Sequence, residues 1–118
     1  MENSPLALFE HEKFGSLRVI EHKGEPWFVA RDVCAVLGTE TRDLPDILEH
    51  DEQRPIVDII HTLNDSTGLR RDSRIISEPG LYSLILRSRK PEAKAFKRWV
   101  THEVIPSIRK TGGYLIAK

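Results

Sequence analysis

Three prolines decide where helices can begin and end in the last third of this 118-residue chain, and the apolar spacing between them is helical. Pro79 follows Ser77 and Glu78, a start signal in which a first-turn proline costs no hydrogen bond. Leu81, Leu84, Ile85 and Ser88 then recur at the three-and-four spacing of one buried face. A second helix opens near Pro91. At about 100° per residue, Ala93, Phe96, Val100 and Val104 share one arc of roughly 80°. Lys90, Lys94, Lys97 and Arg98 occupy the adjoining arc, while Glu92 and Glu103 lie on the opposite flank, so the helix sorts its charges by sign. Pro106 offers no N–H to the carbonyl of His102 and crowds it. That predicts a break or kink near Ile105, then a short turn through Arg109 and Lys110 that Gly112 ends.

The same sorting runs through the whole chain. Its formal charge is zero, yet residues 1–86 hold 9 basic and 16 acidic side chains, and residues 87–118 hold 9 and 2. Poles of −7 and +7 suit contact between the C-terminal part and a polyanion. They equally suit attraction between the two parts, within one chain or between two copies in a homodimer. Cys34 is the single cysteine, which excludes an intrachain disulfide and fits a reducing compartment. No basic leader precedes an apolar stretch, and no apolar run reaches the ~18 residues of a membrane span. The expectation is a cytoplasmic protein of one domain, residues 1–118, with no membrane contact.

The first part of the chain reads as strands and short helices. Leu6–Phe9 and Leu17–His22 are strand-like, and Lys23-Gly24 is a tight turn into an antiparallel partner, Glu25–Val29. Pro26 predicts an edge position or a strand start. Trp27 and Phe28 point to opposite faces, so one packs under a helix and the other is partly exposed. Ala30, Val33, Cys34 and Leu37 form the apolar face of a short helix that Gly38 stops. A second short helix runs from Asp43 or Pro45 to Glu49, giving a helix-turn-helix outline. Its Asp43, Asp46 and Glu49 would repel phosphate, which favours scaffolding over DNA reading for this pair. Pro55–Ile60 is a β-branched run read as a strand, the 62–68 stretch is a turn-rich loop, and Leu69–Ile76 returns as the partner strand. Arg70, Arg71 and Arg74 either extend a basic surface or answer Asp58, Asp65 and Asp72.

Catalytic and metal patterns are absent from the sequence. The histidines show neither a close pair nor a Cys-x-x-Cys partner, and no glycine-rich phosphate loop or nucleophile elbow occurs. Cys34, on an apolar helix face, reads as a buried structural thiol. The chain is therefore expected to be no enzyme and to take no metal or cofactor. Trp99 either seals the core edge or stacks on a base, and Tyr82 poses the same choice. Arg87, Arg89, Lys90, Lys94, Lys97, Arg98, Arg109 and Lys110 form the candidate nucleic-acid-binding set, because neutralised phosphates supply most nucleic-acid affinity.

Three stretches also resemble a known family: Trp27–Cys34 with Leu37-Gly38; Ser77–Pro91; and Phe96–Val100 with Glu103–Tyr114. They are similar to the Bro-N domain, the N-terminal domain of baculovirus-repeated-ORF proteins and of many phage and prophage antirepressors. The resemblance covers about residues 6–114. It implies a small α+β domain, alongside the antiparallel hairpins packed with short helices and the C-terminal basic helix pair read from the residues. It further implies binding to double-stranded DNA, without catalysis, in a prophage or mobile element of a bacterial host, where such proteins counter a lysogeny repressor. The alternative is a module that binds and inactivates a phage repressor through the acidic 40–52 region, without touching DNA. Family members often carry a second domain after Gly-Gly-Tyr, whereas this chain stops at Lys118, as a stand-alone or shortened module.

Overall fold

The computed structural model describes residues 6–61 and 67–111, with Lys110 and Thr111 traced as backbone only. The readings made for residues 62–66, including Asp65, and for Gly112-Gly113-Tyr114 lie outside the described residues. Five antiparallel strands form one sheet in the order β1-β2-β3-β5-β4. They are β1 (Leu6–His11), β2 (Gly15–His22), β3 (Glu25–Val29), β4 (Gln53–Pro55) and β5 (Arg74–Ser77). The helices are α1 (Ala30–Leu37), α2 (Leu44–Ile47), α3 (Glu78–Arg87), α4 (Glu92–Trp99) and α5 (Ile105–Thr111). The α+β expectation holds.

Local chemistry sets the strand register. Lys23 and Gly24 both take positive φ, as a two-residue turn between right-twisted strands requires, and the Gly24 N–H donates to Glu21 Oε2. His22 then pairs with Glu25 and Val19 with Phe28. Pro26 lies inside the sheet but ahead of the β5 pairing, which begins at Trp27↔Ser77, so no ladder bond is asked of its missing N–H.

The period of two splits the sheet's apolar residues between two cores. Leu17, Val19, Phe28 and Ile76 face the helices, together with Leu81, Leu84, Phe96, Val100 and Val104. Ile20, Trp27, Val29 and Ile75 face the other way, under Ile56 and Leu69. Trp27 is accordingly buried as well as Phe28, where partial exposure of one was expected. The lid over it explains a second departure. The strand ends at Pro55, and Ile56–Asp58 form a 3-10 turn instead of continuing it. The Ile59 and Ile60 N–H groups fold back onto the Ile56 carbonyl, and this coils Ile56, Ile59 and Ile60 over Trp27. Burial of the sheet's second face outweighs β-propensity there.

Two of the three inner strands, β3 and β5, pass straight into helices. Val29 leads into α1, whose buried residues are Ala30, Val33, Cys34 and Leu37. Ser77 leads into α3, and its Oγ accepts from the Gly80 N–H at 3.1 Å, satisfying a first-turn donor. Gly80 is demanded by packing: a Cβ there would lie 2.8 Å from Ile76 Cγ2 and 3.0 Å from the Glu52 carbonyl.

Helical structure does not break at Pro106. A π-helical turn, Val100–Val104, joins α4 to α5, and the Ile105 N–H donates to the Val100 carbonyl five residues back. The wider turn carries the chain into the proline without ending the helix. Two side chains serve the backbone there: Thr101 Oγ1 donates to the Lys97 carbonyl at 2.8 Å, and His102 Nδ1 lies 3.0 Å from the Arg98 carbonyl.

Candidate nucleic-acid interface

The basic residues that the sequence grouped divide in space. Lys94, Lys97 and Arg98 project from α4 on the face adjoining its buried Ala93, Phe96 and Trp99, and all three are exposed. With Pro91, Ala95, Thr101 and His102 they line a shallow groove of about 520 Å³. Among the described residues none of the three is ion-paired to a carboxylate. Thr101 and His102 went unnoticed in the sequence, although 94, 97, 98 and 101 recur at helical spacing and would have found the first of them.

Arg87, Arg89 and Lys90 form the corner between α3 and α4, and they too are exposed and without an ion pair among the described residues. The corner is tightly held. Ser88 caps α3, its N–H donating to the Leu84 and Ile85 carbonyls. Its Oγ donates to the Leu37 carbonyl at 3.2 Å and accepts from the Lys90 N–H at 3.2 Å. The Lys90 stem then crosses Gly38, the left-handed residue that ends α1, at φ +76°. A Cβ on Gly38 would come within 2.9 Å of Lys90 Cδ, so the glycine serves both the turn and the lysine's path. The carbonyl end of α1 beneath suits a cation.

Arg109 sits elsewhere. Its Nη2 lies 3.6 Å from Glu78 Oε1, and it shares a depression of about 530 Å³ with Glu25, Pro26 and Tyr82. It is not brought into the α4 groove. The Lys110 side chain lies outside the described residues.

Trp99 is buried in an aromatic cluster with His11, Phe14 and Phe96, and Tyr82 donates to Glu78 Oε2 at 2.9 Å. Trp99 therefore seals the core edge, and neither ring faces the groove. Burial pushes the Tyr82 hydroxyl up to about 12, with the Glu78 hydrogen bond and charge adding to it and Arg109 opposing. The acidic residues expected on the other pole, Glu40, Asp43, Asp46, Glu49 and Asp51, are all exposed. Among the described residues no cluster of histidine, cysteine and carboxylate side chains could hold a metal ion. Nor is any described helix long and apolar enough to cross a membrane.

Residues 16–106 match the family described as BRO family, N-terminal domain. An uncharacterized protein of Haemophilus influenzae is 40% identical over 96 residues, covering 81% of this chain and 46% of that protein. Two proteins of Invertebrate iridescent virus 6, "Putative Bro-N domain-containing protein 201R" and "Putative Bro-N domain-containing protein 289L", are 32% and 38% identical over 110 and 107 residues. The matches cover 78% and 77% of this chain, and 26% and 25% of theirs. The chain thus spans about half of the bacterial relative and about a quarter of the viral ones. In fold, it resembles the N-terminal domain of Orf22, a Cydia pomonella granulovirus envelope protein. The TM-score is 0.62 at 12% identity, over 82% of this chain and 91% of that one.

Proposed function

The chain belongs to the BRO family, whose N-terminal domain it matches over residues 16–106, and from that membership we propose that it is a double-stranded DNA-binding module. It grips the phosphate backbone with Arg87, Arg89, Lys90, Lys94, Lys97 and Arg98. One observation carries this reading: these cations are all exposed, three at the α3–α4 corner and three on α4, and none is ion-paired to a described carboxylate. Phosphates neutralised in this way release counterions, the main source of nucleic-acid affinity. In this reading Arg109, occupied by Glu78, contributes less than the others. The cellular setting that goes with it is a bacterial host cytoplasm and a prophage-type element, in which the module opposes a repressor. No catalytic step is assigned.

The test replaces Lys94, Lys97 and Arg98 together with alanine and measures binding to several unrelated duplexes. Phosphate contacts predict a loss on the order of 10- to 100-fold at low salt, alike on every sequence. Unchanged affinity in the triple variant removes the basic face from the account.

A second reading rests on the exposed carboxylates between α1 and β4, a surface that suits a basic protein partner such as a phage repressor. It predicts a complex with a repressor encoded nearby that survives nuclease treatment. A complex that nuclease dissolves was bridged by DNA.

A further inference from the structure

Leu86, at the last turn of α3, is 82% exposed, the most open of the large apolar side chains described. The other is Leu8 on β1, at 58%. A lone exposed leucine is ordinary on a protein surface. This one has unusual neighbours, because it stands directly before Arg87, Arg89 and Lys90 on the corner that Ser88 and Gly38 hold. Ser88 ties the corner to both helices: its backbone N–H donates to the end of α3 and its Oγ donates to the Leu37 carbonyl at the end of α1. An apolar tip on a rigid cationic support matches a ligand that combines negative charge with recessed apolar surface. A nucleic-acid duplex has that combination, phosphates along the ridges and base edges on the groove floor. Lysine and arginine on phosphate supply attraction without choice of sequence, so a groove-entering apolar residue is the complementary need.

We infer that Leu86 enters a groove of the duplex and makes the apolar contact with base edges, while Arg87, Arg89 and Lys90 hold the flanking phosphates. This deepens the DNA-binding reading and rests on it. Burying Leu86 there removes apolar surface from water but releases no counterion. The two contributions therefore separate in a salt titration.

The experiment compares wild type, Leu86→Ala and the Lys94/Lys97/Arg98 triple alanine variant by fluorescence anisotropy, on A·T-rich and G·C-rich duplexes at several salt concentrations. Urea unfolding first confirms that Leu86→Ala is folded, as an exposed position predicts. The expected result is affinity about tenfold weaker on the preferred duplex at every salt concentration, with the slope of log affinity against log salt unchanged and the preference between duplexes reduced. The triple variant instead flattens the slope. Leu86→Ala binding like wild type, while the triple variant loses affinity, overturns the inference and leaves the DNA-binding reading standing. A wild type that binds no duplex overturns both. A dimer in sedimentation that Leu86→Ala dissolves, with DNA affinity intact, also overturns the inference by assigning Leu86 to a protein interface.

Discussion

Burial pushes the Cys34 thiol from its ordinary 9.0 up to about 11, and the Glu40 and Asp43 carboxylates nearby add to the shift. Because the folded thiol keeps its proton longer than the unfolded one, its contribution to stability is complete below about pH 9 and is lost as pH rises from there to about 11. Urea midpoints should fall across that interval, and the fall should be shallower in Cys34→Ala. At pH 8 a thiol reagent should modify Cys34 only as fast as the protein opens. The Arg18–Asp32 pair is a second single-residue device. Asp32 accepts from the Arg18 backbone N–H and from Nε, both at 2.9 Å, and from Nη2 at 2.8 Å. Arg18 Nη1 reaches on to the Thr67 carbonyl. Asp32→Ala leaves a largely buried guanidinium without its carboxylate and should cost about 3 kcal/mol in urea unfolding. No reading of the sequence could have found this pair. Its members lie fourteen positions apart on different elements, and charged side chains carry no periodic signal of whom they meet.

Elements were legible where one face alone had to be buried. Ala30, Val33, Cys34 and Leu37 on α1, and Ala93, Phe96, Val100 and Val104 along the last helix, are all buried as their spacing requires. Legibility failed where a second demand competed. The β-branched run after Pro55 has the composition of a strand, yet it is spent on covering Trp27, and only the tertiary arrangement reveals that the sheet has two faces to hide. Of the break or kink expected near Ile105, the break is absent, because sequence shows the missing donor but not the π turn that absorbs it. Gly80 belongs to the readable motif Glu78-Pro79-Gly80, but its reason is the approach of α3 to Ile76 and Glu52. Gly80→Ala should therefore overpack that junction and cost about 1–3 kcal/mol, measured by thermal or urea unfolding. Gly38→Ala acts differently: forced into left-handed backbone beside the Lys90 stem, it should lose about 1–2 kcal/mol and misplace the corner lysine.

For the whole molecule, both signs of the charge sorted along the chain reach the surface. The carboxylates between α1 and β4 stand exposed, and the cations of the α3–α4 corner and α4 stand exposed without acidic partners among the described residues. Charge sorting by sign was plain from the helical wheel, and so most of the candidate site could be named in advance. Arg109 could not be separated from that set, because only the fold places it beside Glu78. Leu86 could have been noticed, since it falls about 100° beyond Ile85 and off the buried arc. The sheet and its helices carry the exposed cations of the corner and α4, and in the proposed function these meet phosphate. The most direct measurement is an anisotropy titration of a random-sequence duplex with the wild-type protein at several salt concentrations. With about six phosphates neutralised, log affinity should fall against log salt with a slope near −5. Binding that ignores salt, or no binding at low salt by a protein that circular dichroism shows to be folded, would contradict the account.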